Sequence, residues 1–394
     1  MAKLIDIIGK VISGEWGNDA ETGQGIPVLR TTNFTNSGVI NFSNVVTRDI
    51  KKTKISDKFL RKGDIIIEKS GGSDKQPVGR VVYFEAEENK YLFNNFTGLL
   101  RVSDNSVCYS KYLFYALFSN YQIGGTIPYQ NKTTGLHNLK IDDYVKKFDI
   151  PLLPIEEQKK IATNLDKVTH TIDLCNQIIE KLDLLVKAKF MEMFGDPVSN
   201  PMKWQTKPLL SIGKCKNGMN FHYDDNGVEI NCLGVGDFKD LSIITDTSAL
   251  PKISLNEMPT DEYLLKNNDI VFVRSNGNKA LVGRSLVVYP DDIPTTFSGF
   301  CIRFRKDDDS VLIPYLLRVL KTDSIRKKMA GRGANIQNLN QQILSTLEIP
   351  VPPLELQQKF ANFVEQTEKS KSAVKKVLEK AEMLKNALMQ EYFV

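Results

Sequence analysis

The sequence predicts an α+β protein built as a tandem repeat, in which two similar mixed domains are each followed by a long helix. Three observations carry this. The run LRKGDIIIEKSGG…PVGRVVYF…FTGLLRV…IPLLPIEEQKKIA returns later in the chain as LLKNNDIVFVRSNG…LVGRSLVVY…FSGFCIRF…IPVPPLELQQKFA. Within each copy, short β-rich runs alternate with Gly, Asn, Asp and Lys clusters, the pattern of strands and turns. Each copy then closes in a proline-marked start to a long amphipathic pattern. Self-similarity of this kind identifies the unit of the fold before any local reading does.

The register follows by subtraction. Asp64 pairs with Asp269, Gly79-Arg80 with Gly283-Arg284, and Gly98 with Gly299. Pro151, Pro154 and Gln158 pair with Pro350, Pro353 and Gln357 at an offset of 199, which persists to Glu192 and Phe194 against Glu391 and Phe393. Two diverged copies imply a pseudo-twofold molecule that performs one task at two places.

In the first copy, DIIIE, GRVVYFEA and GLLRV read as strands, and SKYLFYALFS reads as a helix with Ser110 as its N-cap. Their counterparts are DIVFV, GRSLVVYP, GFCIRF and IPYLLRVLKTDSIRKKMA. Proline fixes φ and its missing N–H costs nothing in a first helical turn, so IPLLP and IPVPP mark helix starts. The acids Glu156, Glu157 and Glu355 then suit the positive end of the helix dipole.

Past its start the first long helix carries Ile161, Leu165, Val168, Ile172, Cys175, Ile179, Leu182 and Val186. Their steps alternate between 4 and 3, a heptad seam. The second carries Phe360, Val364, Thr367, Val374, Leu378, Ala381, Leu384 and Leu388, with Lys371 where the first has Ile172. Neither helix is apolar all round, so each needs a partner. The expected architecture is two α+β domains separated by a two-helix antiparallel coiled coil, with each helix packing on its own domain as the alternative. The expected bounds are 1–150 for the first domain and 151–195 for the central helix. Linker and second domain take 196–349, and the C-terminal helix takes 350–394.

A chain of 394 residues, 41% hydrophobic and 25% charged, suits a multi-domain globular protein. No stretch approaches 18 uncharged apolar residues, which argues against a membrane span, and Met1-Ala2-Lys3-Leu4 opens no signal-peptide core. Five cysteines without a C-x-x-C pair suit a reducing cytoplasm. A net charge of +5 permits nucleic-acid binding without demanding it.

Catalytic motifs are absent from the sequence. It holds no G-x-x-x-x-G-K-[ST] phosphate loop and no G-x-G-x-x-G after a strand. Asn200-Pro201-Met202-Lys203 lacks the second proline and aromatic of an amino-methyltransferase loop and reads as linker. Asp64, Glu68 and Lys69 invite a metal-nuclease reading, but the second copy places Val273 opposite Glu68, and a hard-cation site does not survive that exchange. Asp64 and Asp269 are expected to close a turn before a strand.

The polar material with nucleic-acid chemistry lies in two pairs of loops. The first copy offers Lys69, Ser70, Lys75, Gln76 and Arg80, then Gln130, Asn131, Lys132, Thr133, His137 and Asn138. The second offers Arg274, Asn276, Asn278, Lys279 and Arg284, then Arg332, Asn335, Gln337 and Asn338. Arg and Lys read guanine edges, Asn and Gln read adenine, and Ser, Thr and Lys hold phosphates. The same residue types fill ordinary surface loops. Corresponding loops keep basic and amide character while their identities change, as two readers of different bases on one scaffold would. Arg80 and Arg284 are left open between a phosphate contact and a structural ion pair.

The paired IPLLPIEEQKKIA and IPVPPLELQQKFA segments, the MEMFGDPVSNPMKW junction and the tandem G-D-I and V-G-R blocks together resemble the specificity (S) subunit of type I restriction-modification systems. The resemblance implies that the α+β parts are target-recognition domains, each reading one half of a bipartite, asymmetric double-stranded DNA sequence. It implies that the two helices form an antiparallel rod that sets the spacer and docks two modification subunits; the helix–helix seam within it is Ile161, Leu165, Val168, Ile172, Ile179, Leu182, Phe360, Val364, Val374 and Leu378. It places S-adenosylmethionine on the modification (methyltransferase) subunits, and ATP, Mg²⁺ and DNA cleavage on restriction subunits. This chain is then non-catalytic, without cofactor or metal, in a prokaryotic cytoplasm beside the nucleoid. Compared with the family, the chain starts almost directly in its first recognition domain, and its second helix has a more polar seam. An orphan or phase-variable specificity protein serving methylation only would have the same sequence. A fused endonuclease or methyltransferase, or a pure interaction scaffold, are the readings from other classes.

Overall fold

The structure is a computed structural model describing residues 1–21, 24–51, 55–133, 136–221, 227–238, 242–278, 280–330 and 338–394. It divides into two compact units, one of Met1–Asn176 with Lys376–Val394, the other of Gln177–Lys375. Among the described residues no helix is long and apolar enough to cross a membrane.

The first unit is mixed. The run Ile65–Glu68 is buried at every residue, as a central strand covered on both faces must be. It pairs antiparallel with Thr97–Leu100 on one side and Val81–Tyr83 on the other, and Ile12–Ser13 completes a four-stranded sheet. A second four-stranded sheet runs Asn18–Asp19, Val46–Asp49, Ile26–Leu29, Leu92–Phe93, its last pair parallel. The helix Ser110–Gln122 packs beside the first sheet in a core that includes Ile65, Ile67, Tyr112 and Leu113. Ser110 is not its N-cap, as the sequence had suggested. Tyr109 holds that position and no side chain of its own caps the helix. The Tyr109 N–H is satisfied instead by Gln158 Oε1 at 2.9 Å, and Ser110 Oγ bonds the Tyr83 hydroxyl at 2.9 Å.

The second unit repeats this plan. Asp269–Val273, again wholly buried, lies between Cys301–Lys306 and Ser285–Val288 in a five-stranded sheet. Thr295–Phe297 pairs parallel with Val228–Leu233, as Leu92–Phe93 does with Ile26–Leu29. The counterpart of the first unit's helix is split into Ile313–Leu320 and Asp323–Ala330.

Strand register corrects one pairing from the sequence. Thr97 faces Glu68, and Cys301 faces Val273. Phe96 therefore matches Phe300 and Gly98 matches Ile302. The apparent FTG/FSG correspondence that paired Gly98 with Gly299 is a coincidence of composition.

Both long helices are 40 residues, Ile155–Phe194 and Leu354–Phe393. In the second unit Phe190 contacts Phe360 (ring centroids 5.5 Å) and Asp183 accepts from Lys371 Nζ at 2.5 Å, so the helices run antiparallel. In the first unit the end of the C-terminal helix, with Leu388, Met389 and Phe393, joins the core that holds Ile161, Ala162 and Leu165 near the start of the central helix. Along the seam Ile161, Leu165, Cys175, Phe360, Thr367 and Ala381 are buried and Val168, Ile172, Ile179, Leu182, Val364, Val374 and Leu378 half-buried. Leu384 departs from the expected seam. It is half exposed, and Lys385 takes the inward position, its Nζ 5.4 Å from the centre of the Phe118 ring. The ammonium itself packs over the ring face, and burial lowers its pKa.

Candidate nucleic-acid interface

The chain leaves the buried strand Ile65–Glu68 through Lys69 and forms Ser70–Gly72. This segment joins the hairpin of Gln130–Thr133 and Leu136–Leu139 in a three-stranded sheet. The N–H groups of Lys69 and Ser70 donate to the Phe96 carbonyl at 2.8 and 3.2 Å, and the Leu139 N–H donates to the Lys69 carbonyl at 2.8 Å. Two loops some sixty residues apart in sequence thus become one surface.

The second unit repeats these contacts. Arg274 and Ser275 N–H donate to the Phe300 carbonyl at 2.8 and 3.3 Å, and Leu339 N–H donates to the Arg274 carbonyl at 2.7 Å. Ser275 bridges Asn338 antiparallel, where the first unit pairs Ser70 with Asn138. The glycines of the shared V-G-R step are scaffold. Gly79 and Gly283 sit at φ +112° and +76°, and a Cβ on Gly79 would lie 2.7 Å from Thr126.

The predicted residues divide into supports and exposed groups. Arg80 forms a two-pronged pair with Glu68, Nε to Oε2 and Nη2 to Oε1 both at 2.9 Å, and also donates to the carbonyls of Phe34 and Thr31. Its guanidinium pKa is raised, first by this hydrogen bonding to Glu68. Of the two roles left open for Arg80, the structure shows the ion pair. The Gln76 amide lies 3.0 Å from Arg80 Nη1 and can accept from it. His137 is buried, with Nδ1 3.1 Å from Gln130 Oε1 and Nε2 3.4 Å from Asp74. Gln130 Nε2 in turn donates to the Val78 carbonyl at 3.3 Å. Gln130 and His137 therefore fasten the Ser73–Val78 loop to the hairpin, and Arg80 ties Gln76 of that loop to Glu68.

Lys75 and Asn131 are exposed, and Lys69, Ser70 and Asn138 half-buried. Burial lowers the Lys69 ammonium pKa, and its Nζ reaches Ser13 Oγ at 3.4 Å. Lys132 and Thr133 lie in the hairpin strand opposite His137 and Leu136.

In the second unit Arg274 Nη1 donates to the Gly299 carbonyl at 3.2 Å. Asn276 Oδ1 accepts from Asn278 N–H and Asn278 Oδ1 from Ala280 N–H, closing successive turns. Asn278 and Asn338 are exposed, and Arg284 is half-buried. Lys279, Arg332, Asn335 and Gln337 lie outside the described residues.

Asp64 and Asp269 close their turns by accepting from the N–H of Arg61 and Lys266, both at 2.7 Å. Each is also held in a two-pronged pair, with Arg101 and Arg305 respectively. Among the described residues no group of His, Cys, Asp or Glu is arranged to hold a metal ion. Sequence reasoning passed over Phe96 and Phe300, whose equivalence the FTG/FSG coincidence hid.

Two α+β units that share backbone contacts but differ in loop chemistry define a duplicated scaffold carrying variable loops. The type I restriction modification DNA specificity domain family matches residues 3–184 and 201–383, and the chain belongs to that family. It is 27% identical over 393 residues to the type I restriction enzyme StySPI specificity subunit of Salmonella potsdam, covering 93% of this chain and 80% of that one. It is 27% identical over 310 residues to the MjaVIII specificity subunit of Methanocaldococcus jannaschii, covering 70% and 69%. The crystal structure of a type I restriction-modification S subunit from M. genitalium superimposes with a TM-score of 0.59 at 18% identity, over 100% of this chain and 95% of that chain. At that identity the likeness is one of fold.

Proposed function

We propose that this chain is the DNA-reading subunit of a type I restriction-modification complex and supplies no chemistry of its own. Each α+β domain reads one half of a bipartite, asymmetric target. The paired helices set the spacer and dock two modification subunits, which methylate adenine with S-adenosylmethionine. Restriction subunits, with ATP and Mg²⁺, complete the complex. The division at 1–150, 151–195, 196–349 and 350–394 belongs to this reading.

One observation carries it: the same backbone contacts at Lys69 and Arg274, and at Leu139 and Leu339, support loops of different side chains. A shared scaffold fixes the pose while base-edge groups vary. The contact groups are Lys69, Ser70, Lys75, Asn131, Lys132, Thr133 and Asn138 in the first domain. In the second they are Arg274, Asn276, Asn278, Lys279, Arg332, Asn335, Gln337 and Asn338.

Docking is supported by exposed apolar residues that recur in both helices at the 199 offset. Ile178 and Leu185 answer to Val377 and Leu384, and a seven-residue step sets each pair on one helix face. Exposed apolar groups repeated this way fit a protein partner.

The test is genome-wide adenine-methylation mapping in cells carrying this chain with a matching modification subunit. A split motif with a fixed gap, lost on deletion of the gene, supports the reading. Substituting Arg274 and Asn276 should then alter one half of that motif only. Alteration of both halves sinks the two-reader reading.

A further inference from the structure

Phe96 and Phe300 are the equivalent residues whose carbonyls receive the N–H groups of Lys69–Ser70 and Arg274–Ser275. Each stands immediately before its strand, Thr97–Leu100 or Cys301–Lys306. The two residues are 52% and 62% exposed, far more than a phenylalanine needed for the core. The neighbours confirm that the position is not simply loose. Thr97 and Cys301 are fully buried, and Phe93 and Phe297, three residues earlier, are core residues with no exposure. The backbone at this point is held by two hydrogen bonds, so the outward ring is carried on an anchored backbone rather than on a free loop.

A single exposed phenylalanine is ordinary on a protein surface. The same one recurs in both copies, beside the basic and amide residues of each interface, as Ser70 and Asn138 recur in Ser275 and Asn338. The groups around it suit base edges: Lys69, Ser70 and Asn138 in one domain, Arg274, Ser275 and Asn338 in the other. An apolar ring among such groups has one chemically specific counterpart in the major groove, the thymine C5-methyl.

Building on the DNA-reading function proposed above, we infer that Phe96 and Phe300 each contact a thymine methyl, one in each half of the target. The contact specifies a base and neutralises no phosphate. It therefore leaves the salt dependence of binding unchanged, because that slope counts phosphate contacts.

The test uses the complex of this chain with its modification subunits. The probe is a duplex carrying the split motif found by methylation mapping, with deoxyuridine replacing each thymine in turn. The parent complex is expected to lose affinity about fourfold at one thymine per half-site, the worth of one buried methyl. Phe96→Ala should abolish that sensitivity in one half and Phe300→Ala in the other, with unchanged salt slopes, while Phe96→Leu retains it. Phe42→Ala, which truncates a partly exposed ring elsewhere in the first unit, should change neither. Uracil sensitivity that survives both alanine variants, or halves that contain no sensitive thymine, overturns the inference. A parent chain that yields no split motif and no salt-dependent affinity overturns the DNA-reading function itself, a distinct result.

Discussion

Tyr112 packs against Phe393, ring centroids 5.1 Å apart, although the two residues come from different copies of the repeat. Tyr315, the counterpart of Tyr112, packs against Phe194 at 4.8 Å. Both tyrosines donate their hydroxyl to a proline carbonyl at the start of a long helix, Pro151 and Pro350, at 2.8 Å. Phe194 and Phe393 are themselves equivalent at the 199 offset. Each copy's helix therefore ends in the core of the unit founded by the other copy, and neither sequence half is self-contained.

The two contacts should differ in worth. Phe194 is almost fully buried and also meets Phe190 and Phe360 at 5.3 and 5.6 Å. Phe194→Ala should cost about 4 kcal/mol, the range for a buried phenylalanine. Phe393 is half-buried near the chain end, and Phe393→Ala should cost about 1–2 kcal/mol because less surface is removed from water. Denaturant unfolding of the two variants checks the order, and equal losses would show that the end of the chain is held more firmly than its exposure implies.

Arg80 and Lys75 should separate stability from DNA affinity. Arg80→Ala leaves Glu68 buried without its partner and should cost about 3–5 kcal/mol, as breaking a buried pair does. Lys75→Ala should leave the melting temperature in place and reduce the salt slope of DNA binding by about 1. A stable Arg80→Ala variant with a reduced salt slope would return Arg80 to the phosphate contacts.

The parts of this fold legible in sequence are those governed by periodicity. The 3-and-4 steps announced both helices, and the apolar runs DIIIE and DIVFV announced strands, though not their central places in the sheets. Periodicity also misled at Leu384. An apolar residue was preferred to its neighbour Lys385, whose ammonium packs over the Phe118 ring. The interface was legible as residue types but not as geometry. That Ser70–Gly72 would leave its sheet to join a hairpin sixty residues on is decided by tertiary hydrogen bonds without a local signature. Gln158 and Gln357 show the same limit. They were visible as repeated letters, yet only the structure shows each fully buried, bonding the N–H of Tyr109 or Leu312 and two carbonyls.

Those glutamines support a further expectation. Gln357→Leu keeps the volume but strands the Leu312 N–H and the Ser310 and Pro352 carbonyls, and each unsatisfied buried group costs about 1–3 kcal/mol. Unfolding of the second unit, followed by hydrogen exchange, should occur at lower denaturant while the first unit keeps its protection. Uniform loss in both units would show that they unfold as one.

Lys371 occupies the seam position that Ile172 holds in the other helix. Its side chain is only 12% exposed, whereas its partner Asp183 is 56% exposed and can be hydrated alone. Lys371 also lies near Lys321 and lowers that residue's pKa, behind the larger effects of burial and of Arg318. Lys371→Ile should therefore be neutral or stabilising by about 1–2 kcal/mol, as when a desolvated ion pair yields to packing. A loss of stability on thermal melting would show that the bond to Asp183 outweighs the desolvation of the lysine.

Alkaline pH should weaken the fold through its thiols. Burial pushes Cys108, Cys215 and Cys232 up from 9.0 to about 12. Between those values the unfolded chain releases thiol protons that the folded chain keeps. Stability from this source is thus complete below pH 9 and is lost as pH rises toward about 12. Each thiol steepens the decline by up to about 1.4 kcal/mol per pH unit. Cys108→Ala, measured between pH 9 and 11, should give a shallower decline than the parent even though it starts less stable from the cavity it leaves. Parallel curves for the two proteins would mean that Cys108 ionises as readily in the folded chain as in the unfolded one, and that its burial in the first core is looser than the packing around Tyr112 and Leu113 requires.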